Sequence, residues 1–75
     1  MDIQQLKALR ERLGISQARV ARVADMTRFK LSLAECGHID LRGKELSAIA
    51  QFLARELAEV KAIDLPYAVG LPANS

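Results

Sequence analysis

The sequence contains no tryptophan and has only one cysteine, one histidine and two prolines. Each scarcity excludes something. Cys36 alone cannot form an intrachain disulfide, and Cys36 with His38 cannot supply the four ligands of a structural zinc site. No apolar run approaches the roughly 20 residues needed to span a bilayer, and the longest internal stretch without charge is Leu46–Ala54. The opening "MDIQQLKALRERLG" lacks a basic segment followed by an apolar one, so no secretory signal is legible. A cytoplasmic protein with a reduced thiol is expected. No nucleophile–base pair, glycine-rich phosphate loop or metal-ligand spacing occurs, so the expectation is a non-enzyme without metal or cofactor.

The 75 residues suffice for one domain. A chain this short buries only about 60% of the surface it exposes when unfolded. With neither disulfide nor metal, self-association is the expected support. Net charge is +2 but unevenly spread. Residues 1–42 hold eight Lys/Arg against five Asp/Glu, and residues 43–75 hold three against four. Arg19, Arg22, Arg28 and Lys30 face only Asp25 between Ser16 and Leu33. Such clustering favours a polyanionic partner more than the total charge does.

Strand-type alternation is scarce, and the chain reads as all-α. Leu6, Leu9 and Leu13 form one helical stripe that Gly14 ends. Ser16 is an N-cap for a second helix with Val20, Ala21 and Ala24 inward. A break falls near Asp25–Met26, and Thr27 caps a third helix anchored by Leu31 and Ala34 and closed by Gly37. "GHIDLRG" reads as a loop. From about Gly43 a long helix carries Leu46, Ala50, Leu53, Leu57 and Val60 at heptad spacing, widened by Ile49 and Phe52. Residues 1–62 are expected to form the domain. Residues 63–75, "IDLPYAVGLPANS", read as an apolar tail packed on the core or on a dimer mate. Its prolines argue against helix after about Asp64.

Two short helices at Ser16–Ala24 and Thr27–Cys36, joined by a tight turn, have helix-turn-helix spacing. In that motif the second helix lies in the major groove while the first crosses the phosphate backbone. Ala21 and Ala24 permit close helix contact, and Gln17 opens the second helix with free backbone N–H groups suited to phosphate. On the third helix Arg28, Phe29, Ser32 and Leu33 share the side opposite Leu31 and Ala34. Arg28 and Ser32 suit hydrogen bonds to bases. Phe29 and Leu33 either contact a thymine methyl or tilt into the core or a neighbouring molecule. Lys30, Arg19, Arg22, Arg42 and Lys44 are further phosphate candidates.

"SQARVARVADMTRFKLSLAECG" resembles the helix-turn-helix of phage repressor, Cro and Xre-type DNA-binding proteins, whose pattern is S-Q-x-x-L-A, G-[VI]-[ST], I-S-x-x-E-x-G. Ser16-Gln17 and Val20-Ala21 match its first part, Met26-Thr27 its turn, and Leu31-Ser32, Glu35 and Gly37 its end. With "LKALRERLGISQ" like the first helix and "LSAIAQFL" like the fourth, the resemblance covers about residues 5–54. It implies a lambda-repressor-like domain of four to five helices. It also implies that Arg10 pairs with Glu35, that Gln17 and Thr27 touch phosphate, and that positions 28, 29, 32 and 33 read bases. Asp25 departs from the family's glycine, Leu41 from its loop proline, and Phe29 and Leu33 from its long polar readers. Cys36 is expected as a buried or half-buried spacer and His38 as a loop residue.

The expected function is therefore a sequence-specific transcriptional regulator of bacterial or phage type. It would bind double-stranded DNA as a homodimer on an inverted-repeat operator and repress a promoter, its own included. Leu53, Leu57, Val60, Leu65 and Tyr67 are the dimer candidates. Two alternatives use the same fold. One is an antitoxin holding a toxin through the C-terminal tail or the 57–60 seam, and the other is a protein-binding adaptor that has lost base readout.

Overall fold

A computed structural model of the chain describes residues 1–70, with side chains described through Lys61. It contains four helices: α1 (Ile3–Leu13), α2 (Gln17–Val23), α3 (Arg28–Glu35) and α4 (Gly43–Gly70). Each of the first three begins at a side-chain cap. Asp2 accepts from the Gln5 N–H while the Gln5 side chain accepts from the Asp2 N–H, both at 2.9 Å. Ser16 Oγ accepts from the Arg19 N–H at 3.1 Å, and Thr27 Oγ1 from the Lys30 N–H at 3.0 Å. These bonds satisfy donors that the first helical turn leaves without partners.

The same three helices end by one device. Gly14, Asp25 and Gly37 each adopt the left-handed conformation, with φ of 71°, 57° and 84°. The N–H of the following residue then reaches back across the last turn: Ile15 to Arg10, Met26 to Ala21, and His38 to Leu33, at 2.9–3.1 Å. This is the Schellman arrangement, which satisfies carbonyls at a helix end. Asp25 occupies a conformation that costs a side-chain-bearing residue about 1 kcal/mol. Two of the closures serve packing, because Ile15 becomes buried and Met26 half-buried against the core.

The core joins Leu6 of α1, Val20 and Ala21 of α2, Leu31 of α3, and Ile49, Phe52 and Leu53 of α4. α1 packs on α3 and α4, while α2 packs on α3 and α4. Leu53 is 0% exposed, so this dimer candidate is a core residue instead. Heptad spacing alone could not separate the two roles, since Leu53 and Leu57 belong to one stripe. Leu57 is half-buried and Val60 is 42% exposed. Leu41 is half-buried against the core, so the loop before α4 is anchored without a proline. Cys36 is exposed rather than a spacer, because α3 ends with Glu35 turned inward and the next position turned out.

α4 continues past Asp64 to Gly70, beyond the expected end. Pro66 removes one backbone hydrogen bond. Extending an existing helix needs no new nucleus, so a single lost bond does not end it. Residues 71–75 and the side chains of Leu65 and Tyr67 lie outside the described residues.

One buried ion pair ties three helices together. Arg10 of α1 donates to Glu35 of α3 twice, Nε to Oε2 and Nη2 to Oε1, each at 2.9 Å. The Arg10 side chain is 11% exposed and that of Glu35 is 3% exposed. Arg10 Nη1 also donates to the Ile15 carbonyl at 2.8 Å, which fixes the segment entering α2. Gln17 Nε2 of α2 donates to Glu35 Oε1 at 2.9 Å, and Gln4 Nε2 of α1 to the Glu35 carbonyl at 3.0 Å. Removing one charge of such a pair leaves the other buried without compensation, at a cost of about 3–5 kcal/mol. Glu35→Gln is therefore expected to destabilise the domain by about 3 kcal/mol in urea unfolding. A change within experimental error would contradict the brace.

Candidate nucleic-acid interface

α3 is held to the core by Leu31, Ala34 and Glu35, all buried. Its opposite side is open. Arg28 is exposed, and its side chain makes no hydrogen bond or ion pair among the described residues. Phe29 is 72% exposed, the highest value for a large apolar residue among those described. Ser32 and Leu33 are half-buried. Residues four apart stack along a helix, so Arg28 and Ser32 form a polar column beside the apolar column of Phe29 and Leu33. The four expected base readers thus share one surface. An open groove lined by Arg22, Asp25, Met26, Thr27 and Arg28 adjoins it.

The expected phosphate contacts divide into two groups. Arg22, Arg42 and Lys44 are exposed, with no side-chain partner among the described residues. Thr27 is exposed as well; its hydroxyl oxygen caps α3, and its O–H is free to donate. Three others are already engaged. The Gln17 amide is committed to Glu35, so only the backbone N–H groups opening α2 are left at that position. Lys30 Nζ donates to Glu45 Oε2 at 2.7 Å, joining α3 to α4. Arg19 Nη2 donates to Glu56 Oε1 at 3.2 Å, and its guanidinium lies 5.3 Å from the centre of the Phe52 ring. Those two side chains fasten helices to α4, and the simple charge cluster of the sequence is correspondingly thinned.

Glu45, Glu56 and Gln4 were not foreseen as parts of this arrangement. Glu45 carried one local signal: it stands three residues after Arg42, where an acid can reach back to the backbone at a helix start. It does so, since the Arg42 N–H donates to Glu45 Oε1 at 2.9 Å.

A family model described as a helix-turn-helix domain matches residues 4–63. The chain belongs to the helix-turn-helix domain family. No curated protein and no solved structure matches it. A helix-turn-helix domain is a DNA-binding module whose second helix enters the major groove, and α3 occupies the place of the second helix in the motif here. The four-helix, all-α architecture agrees with the lambda-repressor-like fold. Among the described residues there is no cluster of three potential metal ligands, and no helix long and apolar enough to cross a membrane.

Within this helix-turn-helix domain the Lys30–Glu45 contact is sensitive to acid. The Lys30 ammonium, and next the Arg42 backbone N–H, hold the Glu45 carboxyl below the usual glutamate value. A carboxylate whose folded value is depressed stabilises the fold above its unfolded value, and loses that contribution as pH falls through the folded one. Thermal unfolding midpoints of the wild type and Glu45→Gln should therefore differ at neutral pH and converge in acid, below the ordinary value of 4.5. A difference that persists unchanged in acid would contradict this assignment.

Proposed function

We propose that this helix-turn-helix protein is a sequence-specific transcriptional regulator that binds an inverted-repeat operator as a homodimer. The observation that carries the proposal is the exposure of α3. Leu31, Ala34 and Glu35 are buried while Arg28 and Phe29 stand in solvent with Ser32 and Leu33 beside them. The major groove is about 12 Å wide and accepts such a helix. Arg28 then donates two hydrogen bonds to a guanine, and Ser32 donates or accepts at a neighbouring base. The N–H groups opening α2, the Thr27 hydroxyl, Arg22, Arg42 and Lys44 contact phosphate and set the register without reading sequence. Lys30 and Arg19 reach phosphate only by giving up Glu45 and Glu56.

The dimer forms through the part of α4 beyond the domain core, where Leu57 is half-buried and Val60 exposed. Leu65 and Tyr67 continue that helix. Two recognition helices about 34 Å apart would enter successive grooves on one face of the duplex. Occlusion of a promoter, its own included, is the simplest consequence, in a cytoplasmic protein without catalytic activity. A second reading, a protein-binding adaptor on the same fold, draws support from the exposure of Phe29 and from the internal pairing of Lys30 and Arg19. The salt dependence of DNA binding separates the two. Each phosphate neutralised contributes about 0.9 to the slope of log affinity against log salt, whereas an adaptor shows no such DNA binding.

Arg28→Ala should weaken binding to the preferred duplex by about 1–3 kcal/mol and relax specificity at one base position. Equal losses on preferred and random DNA would contradict base reading by Arg28. Val60→Asp should shift the protein from dimer to monomer in sedimentation equilibrium with its helical content intact. An unchanged dimer would place the interface elsewhere.

A further inference from the structure

The apolar half of the α3 surface has its own chemical complement. Phe29 and Leu33 are four residues apart, one helical turn of about 5.4 Å. They form a column displaced by about 100° from that of Arg28 and Ser32. Within the described residues nothing covers Phe29, which is 72% exposed. Lys30, the adjacent cation, is drawn to Glu45 and so leaves this column apolar. In the major groove the edges of the base pairs are polar except for one group, the C5-methyl of thymine. Cytosine methylated at C5 carries the same group on the same pyrimidine carbon and projects it into the same groove.

We infer that Phe29 and Leu33 read pyrimidine C5-methyl groups, making this a domain that selects a 5-methylpyrimidine beside the guanine contacted by Arg28. Thymine and 5-methylcytosine satisfy the apolar column, while uracil and unmodified cytosine do not. This rests on the proposed DNA-binding role of α3 and deepens it. A protein partner could also cover Phe29. Two features favour base edges: Arg28, which lines the groove it shares with Arg22 and Thr27, stands next to it on α3, and the second helix of a helix-turn-helix domain is the one that enters the major groove.

The test uses the full chain and the duplex it enriches from a random library at near-physiological salt. Thymines in that duplex are replaced one at a time by deoxyuridine, which removes only the methyl. Affinity should fall about four-fold at one or two positions, the transfer value of a methyl-sized group. Phe29→Ala or Leu33→Ala should abolish the difference between thymine and uracil at the matching position. Phe29 is exposed, so its substitution leaves the fold intact, with circular dichroism as the check. At the same position a cytosine·guanine pair should bind more tightly with the C5-methyl than without it.

If the enriched duplex binds specifically but no thymine methyl alters affinity, the methyl reading is overturned and the DNA-binding role stands. If no duplex is enriched, both are overturned.

Discussion

The arrangement depends first on a charge that has been taken out of water. Glu35 is buried at the end of α3, and an isolated carboxylate there would be strongly unfavourable. It is tolerated because Arg10 meets it with two parallel N–H donors while Gln17 adds a third to the same carboxylate. Arg10 is satisfied in turn by Glu35 and the Ile15 carbonyl. Two apolar anchors, Leu31 and Ala34, hold α3 against the core, but apolar packing is non-directional. The ion pair is directional. By drawing position 35 inward it fixes how α3 is rotated about its own axis, and positions 29 and 33, about 120° and 160° round the helix from it, turn away from the core as a result.

The second constraint is electrostatic economy on the surface. The small core leaves α2 and α3 to be fastened to α4 partly by polar contacts, Arg19 to Glu56 and Lys30 to Glu45. Exposed pairs of this kind contribute little each, but the stacking of Arg19 on Phe52 and the second hydrogen bond that the half-buried Glu45 accepts from the Arg42 N–H give them fixed geometry. They also reduce the number of cations available to a polyanion. Arg22, Arg28, Arg42 and Lys44 are what is left around the turn and the start of α4. A proposed DNA interface with few phosphate contacts leans more heavily on base contacts, which suits a recognition helix whose outer face is half apolar.

Much of this was legible from local signals. Ser16, Thr27, Gly14 and Gly37 mark helix ends through bonds made within a few residues, so their meaning survives without knowledge of the fold. Asp25 could be read as a left-handed turn residue for the same reason. The Arg10–Glu35 pair, 25 residues apart, was accessible only through resemblance to a family. Lys30–Glu45 and Arg19–Glu56 were not accessible at all, because they depend on how α4 crosses α2 and α3. Leu53 and Leu57 share a heptad stripe, and only the depth of the core tells one from the other. Pro66 argues for a helix end by propensity, yet the backbone of α4 runs through it. Cys36 differs from expectation because one position past Glu35 the chain has already turned toward solvent.

The most direct test of the central claim, that the outer face of α3 meets DNA, is a set of amide NMR spectra of the full chain recorded as a duplex is added. The amides of residues 27–33 and of the start of α2 should shift most, with those around Arg42 following. Shifts confined to α1 or to the outer end of α4, or none at all, would contradict it.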